Sequence, residues 1–203
     1  MSEIYEGCGE RLTKQLSFSV EIDKMTAILR RTLLTDKSRR ENDAEHSWHI
    51  AVMALLFKEY ATEEPDIGHV VKMLVCHDLI EIYAGDTFAY DAEANIGKAE
   101  RENKAADRLF AQLPEEQGAE IRKLWEEFDG MSTTDSKYAN CMDRLQPFLH
   151  NIMTDGHTWK NGGAKRSQVE ERIGIIRDFM PQVYEWMKYS LDESVKKGWI
   201  EEK

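Results

Sequence analysis

The chain has 203 residues, 41% of them apolar, enough for a sizeable core, and one domain is expected to take in residues 1–203. Its 38 acidic residues outweigh 27 basic ones, and the formal net charge of -11 repels phosphate backbones and anionic bilayers, which argues against nucleic acid or a membrane as partner. Three widely spaced cysteines (Cys8, Cys76, Cys141), no signal-peptide pattern and no apolar run of ~18 residues lead to the expectation of a cytoplasmic protein without disulfides.

Residues 1–11 are polar, with Gly7 and Gly9, and read as a loose N-terminal arm. Leu16, Val20, Met25, Ile28 and Leu29 recur at roughly helical spacing, which predicts one helix or a pair over 12–34, ending in Arg30-Arg31 and a charged loop. The second helix is predicted over about 44–61, with Asn42 and Asp43 upstream to cap it and Trp48, Val52, Leu55, Leu56 and Tyr60 as its buried stripe. His46 lies in its first turn and His49 one turn on. Residues three apart share a helix face and could chelate one ion, although a packing role is the reading given to His49.

After Pro65-Asp66 a third helix is predicted over about 67–83, with Val70, Leu74, Val75, Leu79 and Ile82 on its core face. Inside that apolar run stand His77 and Asp78, an imidazole and a carboxylate that are costly to bury unpaired. A bound divalent metal removes the cost, because His nitrogen and Asp oxygen are both good ligands for such an ion. Glu81 is four residues after His77 and three after Asp78, on the same side of the helix. Gly85 ends the helix, and Asp86 stands just beyond.

Two more helices are predicted over 94–113 and 115–128, separated by Pro114. The next begins after Ser132-Thr133-Thr134-Asp135, carries Asp143 and should kink at Pro147. His150, seven residues after Asp143, is read as core or interface packing. Residues 154–166 are rich in glycine and polar groups and are predicted to be a mobile loop. A final helix broken at Pro181 presents Phe179, Val183, Trp186 and Met187 as a core face or the face of a homodimer. Strand-like alternation, a glycine-rich phosphate loop and a Ser or Cys nucleophile motif are all absent from the sequence, so the fold class is all-α.

The order His46, then His77-Asp78, then Asp143, each on its own predicted helix, resembles the HD superfamily of metal-dependent phosphohydrolases. Ala44-Glu45-His46-Ser47-Trp48, His77-Asp78-Leu79-Ile80-Glu81, Gly85-Asp86 and Asp143-Arg144-Leu145 are most similar to the HD-domain 5′-deoxynucleotidases, over about residues 25–190. The resemblance implies a compact multi-helix HD bundle in which His46, His77, Asp78 and Asp143 hold one divalent metal ion. Residue types alone do not separate Co, Mn, Zn, Fe and Mg. It also implies Glu81 as the residue that orients or deprotonates the attacking water, Asp86 as a second catalytic carboxylate, and Arg31, fifteen residues before His46, as the phosphate clamp.

The implied reaction is hydrolysis of a nucleoside 5′-monophosphate, a small-molecule nucleotide, to nucleoside and phosphate by attack of metal-activated water. Where the bacterial members carry Trp after that Arg, this chain has Thr32, which removes the sequence basis for a deoxyribose preference. Two-metal HD relatives carry further histidines between the His-Asp pair and the last Asp. This chain has no His between His77 and His150, so one metal is expected. The alternatives are another HD-type phosphohydrolase, acting on a phosphodiester or another small phosphomonoester, and a non-catalytic helical protein with a structural metal. Glu81 and Asp86 weigh against the last, since two further carboxylates crowded beside a structural ion would repel one another.

Overall fold

The helix that carries His46 starts where it does because Asn42 and Glu45 cap each other. In the computed structural model, which describes residues 5–91, 93 and 95–202, the Asn42 side chain accepts from the Glu45 N–H and the Glu45 carboxylate accepts from the Asn42 N–H. In chain order, α1 (Glu10–Ile22) leads through a 3₁₀ turn (Asp23–Ala27) into strands β1 (Leu29–Leu33) and β2 (Arg40–Asn42). Then come α2 (Asp43–Leu56), α3 (Ile67–Cys76), α4 (Glu81–Ala84), α5 (Lys98–Phe110), α6 (Glu115–Gly130) and α7 (Thr134–Met153). The last four are α8 (His157–Gly162), α9 (Arg166–Arg172), α10 (Gly174–Phe179) and α11 (Pro181–Lys196).

The all-α class holds, with one correction. Leu29–Leu33 is not helical but pairs antiparallel with β2, the only sheet among the described residues. The two-residue period is present, since Arg30 and Thr32 turn inward while Leu29 and Arg31 face out. It escaped notice because the inward side chains are polar. The helix expected over 12–34 therefore ends at Ile22, and Glu10 and Arg11, assigned to the arm, belong to α1; residues 1–4 lie outside the described residues.

Four further expectations are corrected. The α2 face that packs inward carries His46, Ile50, Met53 and Ala54, whereas Trp48, Leu55 and Leu56 are 67%, 61% and 65% exposed. Turning His46 into the interior rotates that apolar stripe outward. The helix expected over 67–83 stops at Cys76, and a turn through His77–Ile80 precedes α4. Residues 154–166 are not a mobile loop: α8 crosses them, anchored by Trp159, which is 2% exposed. At Pro147, where the sequence predicts a kink, α7 runs on as one continuous helix, whereas the break expected at Pro181 is present, with Pro181 opening α11 at its first turn.

Two apolar clusters flank the His77 turn. Ile50, Met73, Leu74, Tyr138, Met142 and Met187 bring together α2, α3, α7 and α11, while Phe18, Leu109, Phe110 and Trp125 join α1, α5 and α6. Cys76 packs against both. Each buried Leu, Met or Phe contributes about 1.5–3 kcal/mol, so the turn is clamped between two cores and its polar side chains have little freedom to withdraw.

Candidate active site

Four segments deliver the expected site residues to one place: His46 from the first turn of α2, His77 and Asp78 from the turn after α3, Asp143 from the middle of α7, and Glu81 and Asp86 from the start of α4 and the chain just beyond its C-terminus. Ligand atoms of His46, His77 and Asp143 lie within 4.8 Å of one another. Asp78 joins them through Oδ2, 3.0 Å from His77 Nε2 and 4.0 Å from His46 Nε2.

Hydrogen bonds behind the two imidazoles aim them. His77 Nδ1 donates to the Leu74 carbonyl at 2.8 Å, which turns Nε2 into the site, buried and 3.0 Å from Asp78 Oδ2 but not aligned to hydrogen-bond with it. His46 Nδ1 lies 3.1 Å from Gln146 Oε1, while Nε2 faces Asp143 Oδ1 at 3.1 Å. Burial, reinforced by Arg30, lowers the His46 pKa to about 4, so the ring is neutral and has one proton for two acceptors. With that proton given to Gln146, a nitrogen lone pair faces a carboxylate. Nitrogen lone pairs opposed to carboxylates in a buried setting need a positive charge between them, and two imidazoles with two carboxylates are a donor set that suits a divalent transition metal. The residues fit the ion that the motif implies.

The surrounding charges are strongly perturbed. Burial raises Asp78 and Asp143, but it is outweighed: by His77 and Arg30 at Asp78, and by the His46 hydrogen bond and Arg172 at Asp143, and both carboxyls end below the usual range. Burial tends to lower His77, yet Asp78 prevails and the net shift is upward. Glu81 moves to about 9 through burial and the repulsion of Asp78 and Asp86, and its Oε2 is buried with no partner. Asp86 is raised by burial, with Arg30 opposing.

These groups open onto a cavity of about 290 Å³ whose walls include Arg31, Lys98, Arg144 and Arg172, with Phe88 and Tyr90 as flat apolar surfaces. Gly162 is required here, because a Cβ at that position would overlap the Phe88 ring. The two arginines on β1 do different things. Arg30 Nη1 donates to Asp78 Oδ2 at 2.8 Å and to the buried Asp43 Oδ1 at 3.2 Å. Arg31 lies on the other side of the strand with its guanidinium over Phe88, 5.0 Å from the ring centroid. Thr32 is buried and donates to Glu41 Oε2 at 3.1 Å.

The sequence offered Arg30 only as the alternative to Arg31 at the phosphate, not as a partner of Asp78, and gave no place in the site to Asp43 and Gln146. Gln146 had a signal, being three residues after Asp143 on α7 and so on its face. For Asp43 and Arg30 the contact depends on the hairpin, which no local pattern announced.

A sequence profile of the HD domain matches residues 22–184. The chain belongs to the HD-domain family. As a member of this family of metal-dependent phosphohydrolases, it is 50% identical to a Magnetospirillum magnetotacticum protein described as a predicted metal-dependent phosphohydrolase. That crystal structure superposes with a TM-score of 0.88, over 94% of this chain and 96% of that one. Among curated proteins, the HD-domain chain is 30% identical over 139 residues to bovine 5′-deoxynucleotidase HDDC2 and 28% identical over 141 residues to the human protein. These matches take in 68% and 70% of this chain but only 60% and 62% of the relatives' own length. An HD-domain phosphohydrolase from Listeria innocua, 18% identical, shares the fold at a TM-score of 0.59, over 90% of this chain and 86% of its own.

Proposed function

We propose that this HD-domain protein hydrolyses the phosphomonoester of a nucleoside 5′-monophosphate, releasing nucleoside and inorganic phosphate. One observation carries the reading: a single cavity is lined by His77, Asp78 and Asp143, with His46 buried behind them, and by two further carboxylates with raised pKa values, several cations and the flat faces of Phe88 and Tyr90. That combination suits a dianionic phosphate joined to a planar base. The likeness to proteins named 5′-deoxynucleotidase supports the same substrate class.

In this reading His46, His77, Asp78 and Asp143 hold one divalent ion, which supplies charge that acidifies water and polarises a phosphoryl oxygen. In its ionised form Glu81 takes the proton of the attacking water, and a cation held by the neighbouring carboxylates favours that form by offsetting the repulsion of Asp78 and Asp86. Asp86, its pKa raised, carries a proton for the 5′ oxygen as the old P–O bond breaks. Arg31 is free to bind two phosphate oxygens, while Arg30, already committed to Asp78 and Asp43, positions Asp78. The exposed apolar face of Trp48, Leu55 and Val75 supports a homodimer. The net charge of -11 supports a small-molecule partner over nucleic acid. Free cysteines, together with the lack of any helix among the described residues long and apolar enough to cross a membrane, support a cytoplasmic location.

The deciding experiment is a panel of ribo- and deoxynucleoside 5′-monophosphates offered to protein loaded with cobalt or manganese. Phosphate release from at least one of them, abolished by a chelator, is expected. No release from any nucleotide, with metal shown to be bound, would refute the assignment.

A further inference from the structure

A second group of metal-type donors lies on the far side of His46. Ligand atoms of Glu41, His49 and His150 fall within 4.8 Å of one another, and none of these residues belongs to the HD motif. All three turn toward the amide nitrogen of Gln146, which is 2.5 Å from Glu41 Oε1, 3.2 Å from His49 Nδ1 and 3.2 Å from His150 Nε2.

The amide can face only one way. His46 Nδ1 needs an acceptor, and a flipped amide would set oxygen against oxygen at Glu41, so the NH₂ end points at the three donors. An NH₂ group has two protons to give, and three acceptors converge on it. His150 is 2% exposed, and its Nδ1 has no hydrogen-bond partner, facing Glu41 Oε2 at 3.8 Å. With the proton on Nδ1, the Nε2 lone pair points at the centre. Glu41 Oε2 is held by Thr32, which leaves Oε1 for the cluster. His49 is half-buried and gives the cluster its way in from solvent. Burial lowers the pKa of both His49 and His150, so both rings present lone pairs near neutral pH.

We propose that Glu41, His49 and His150 form a second divalent-metal site, separate from the HD centre, which fills when the Gln146 amide swings out of the middle. Two nitrogens and one carboxylate oxygen suit zinc or cobalt, with water completing a tetrahedron. Donors on such an ion, each at about 2.0–2.1 Å, stand about 3.4 Å apart, so the cluster has to contract by about an ångström. The two ions share no ligand. They are linked through Gln146, whose oxygen supports His46, so filling the second site removes the support of an HD-centre ligand. The single ion expected from the motif is the HD-centre ion, and this one is additional to it.

The test counts metal and does not depend on which phosphoester is cleaved. The chelator-stripped 203-residue chain is titrated with Zn²⁺ by calorimetry, and with Co²⁺ by its visible absorption. Wild type should take two equivalents, His77→Ala one, and His49→Ala one, with unchanged circular dichroism establishing that the variants are folded. Since His49 is half-buried, its removal leaves the core intact. Gln146→Ala should bind the second ion about tenfold more tightly and the first about 10–100-fold more weakly, a split in sign that loss of packing alone does not produce. One equivalent in wild type with none in His77→Ala would overturn the proposal, as would a second equivalent that survives His49→Ala or is unaltered by Gln146→Ala.

Discussion

The two edges of the His46 ring face different surroundings. On the Nε2 edge, Asp143, Asp78 and His77 open toward a cavity, with His77 Nε2 and Glu81 Oε2 lacking hydrogen-bond partners. On the Nδ1 edge, Gln146 ties together Glu41, His49 and His150 in a largely closed cluster away from that cavity. The same residue types occur on both edges, but only on the first do they stand beside space for a ligand, whereas on the second the Gln146 amide occupies the centre. Unmet lone pairs next to a cavity mark chemistry, whereas lone pairs met by an amide mark support, and that support is what a second ion would have to displace.

The sharpest way to break the contrast is to remove a donor on the cavity edge. Asp143→Ala or His77→Ala should cost about 10³-fold or more in phosphohydrolase turnover, together with the HD-centre metal, since the ion's charge is worth several kcal/mol. Turnover near wild type in a variant shown to lack that metal would remove the ion from the reaction. Next in size is Glu81→Gln, which keeps the shape and removes the base. Activity should fall by about 10²-fold with metal content unchanged, and a variant as active as wild type would take Glu81 out of the mechanism.

A smaller effect separates the two arginines. Arg31→Lys retains the charge but not the paired geometry, so catalytic efficiency should drop about tenfold at constant metal content, and further for Arg31→Ala. Arg30→Ala should instead weaken metal retention through Asp78. If Arg30→Ala loses activity while Arg31→Ala behaves as wild type, the clamp belongs to Arg30.

The smallest expected effect is on stability against pH. Burial raises Glu41 to about 7 and Glu81 to about 9, whereas unfolded glutamates titrate near ~4.3. Between about pH 4 and 7 for Glu41, and on up to about pH 9 for Glu81, the native state therefore holds a proton that the unfolded chain has lost, and the sign of the linkage makes stability fall as pH rises. The upward shift of His77 acts in the same sense. The melting temperature of chelated protein should decline across that window, and the decline should shrink once metal is added. A flat profile in chelated protein would show that these carboxyls ionise without penalty.

How much of this was legible in the sequence varies by residue. Helix existence was plain wherever a cap and an apolar face coincide, as at Asp66 and α3 or at Thr133 and α7. The hairpin was hidden because Arg30 and Thr32, its inward residues, are polar and were read as a helix end. Residues 154–166 looked like a loop because glycine and polar composition is a local signal, while the burial of Trp159 against Phe148 is a distant contact. The outward turn of Trp48 and Leu55 reversed an apolar stripe, since the helix orients by the histidine it must deliver.

By itself the sequence determined the helical class and the family, because caps, periodicity and the spacing of His46, His77-Asp78 and Asp143 are short-range properties of the chain. Only the tertiary structure decided what each charge meets. Arg30 sits on Asp78 across 48 residues, and Gln146 reaches Glu41 across 105. Partners so far apart are brought together by the packing of α2, α3 and α7 around a buried polar centre, where low dielectric makes each pairing decisive and no local pattern records it.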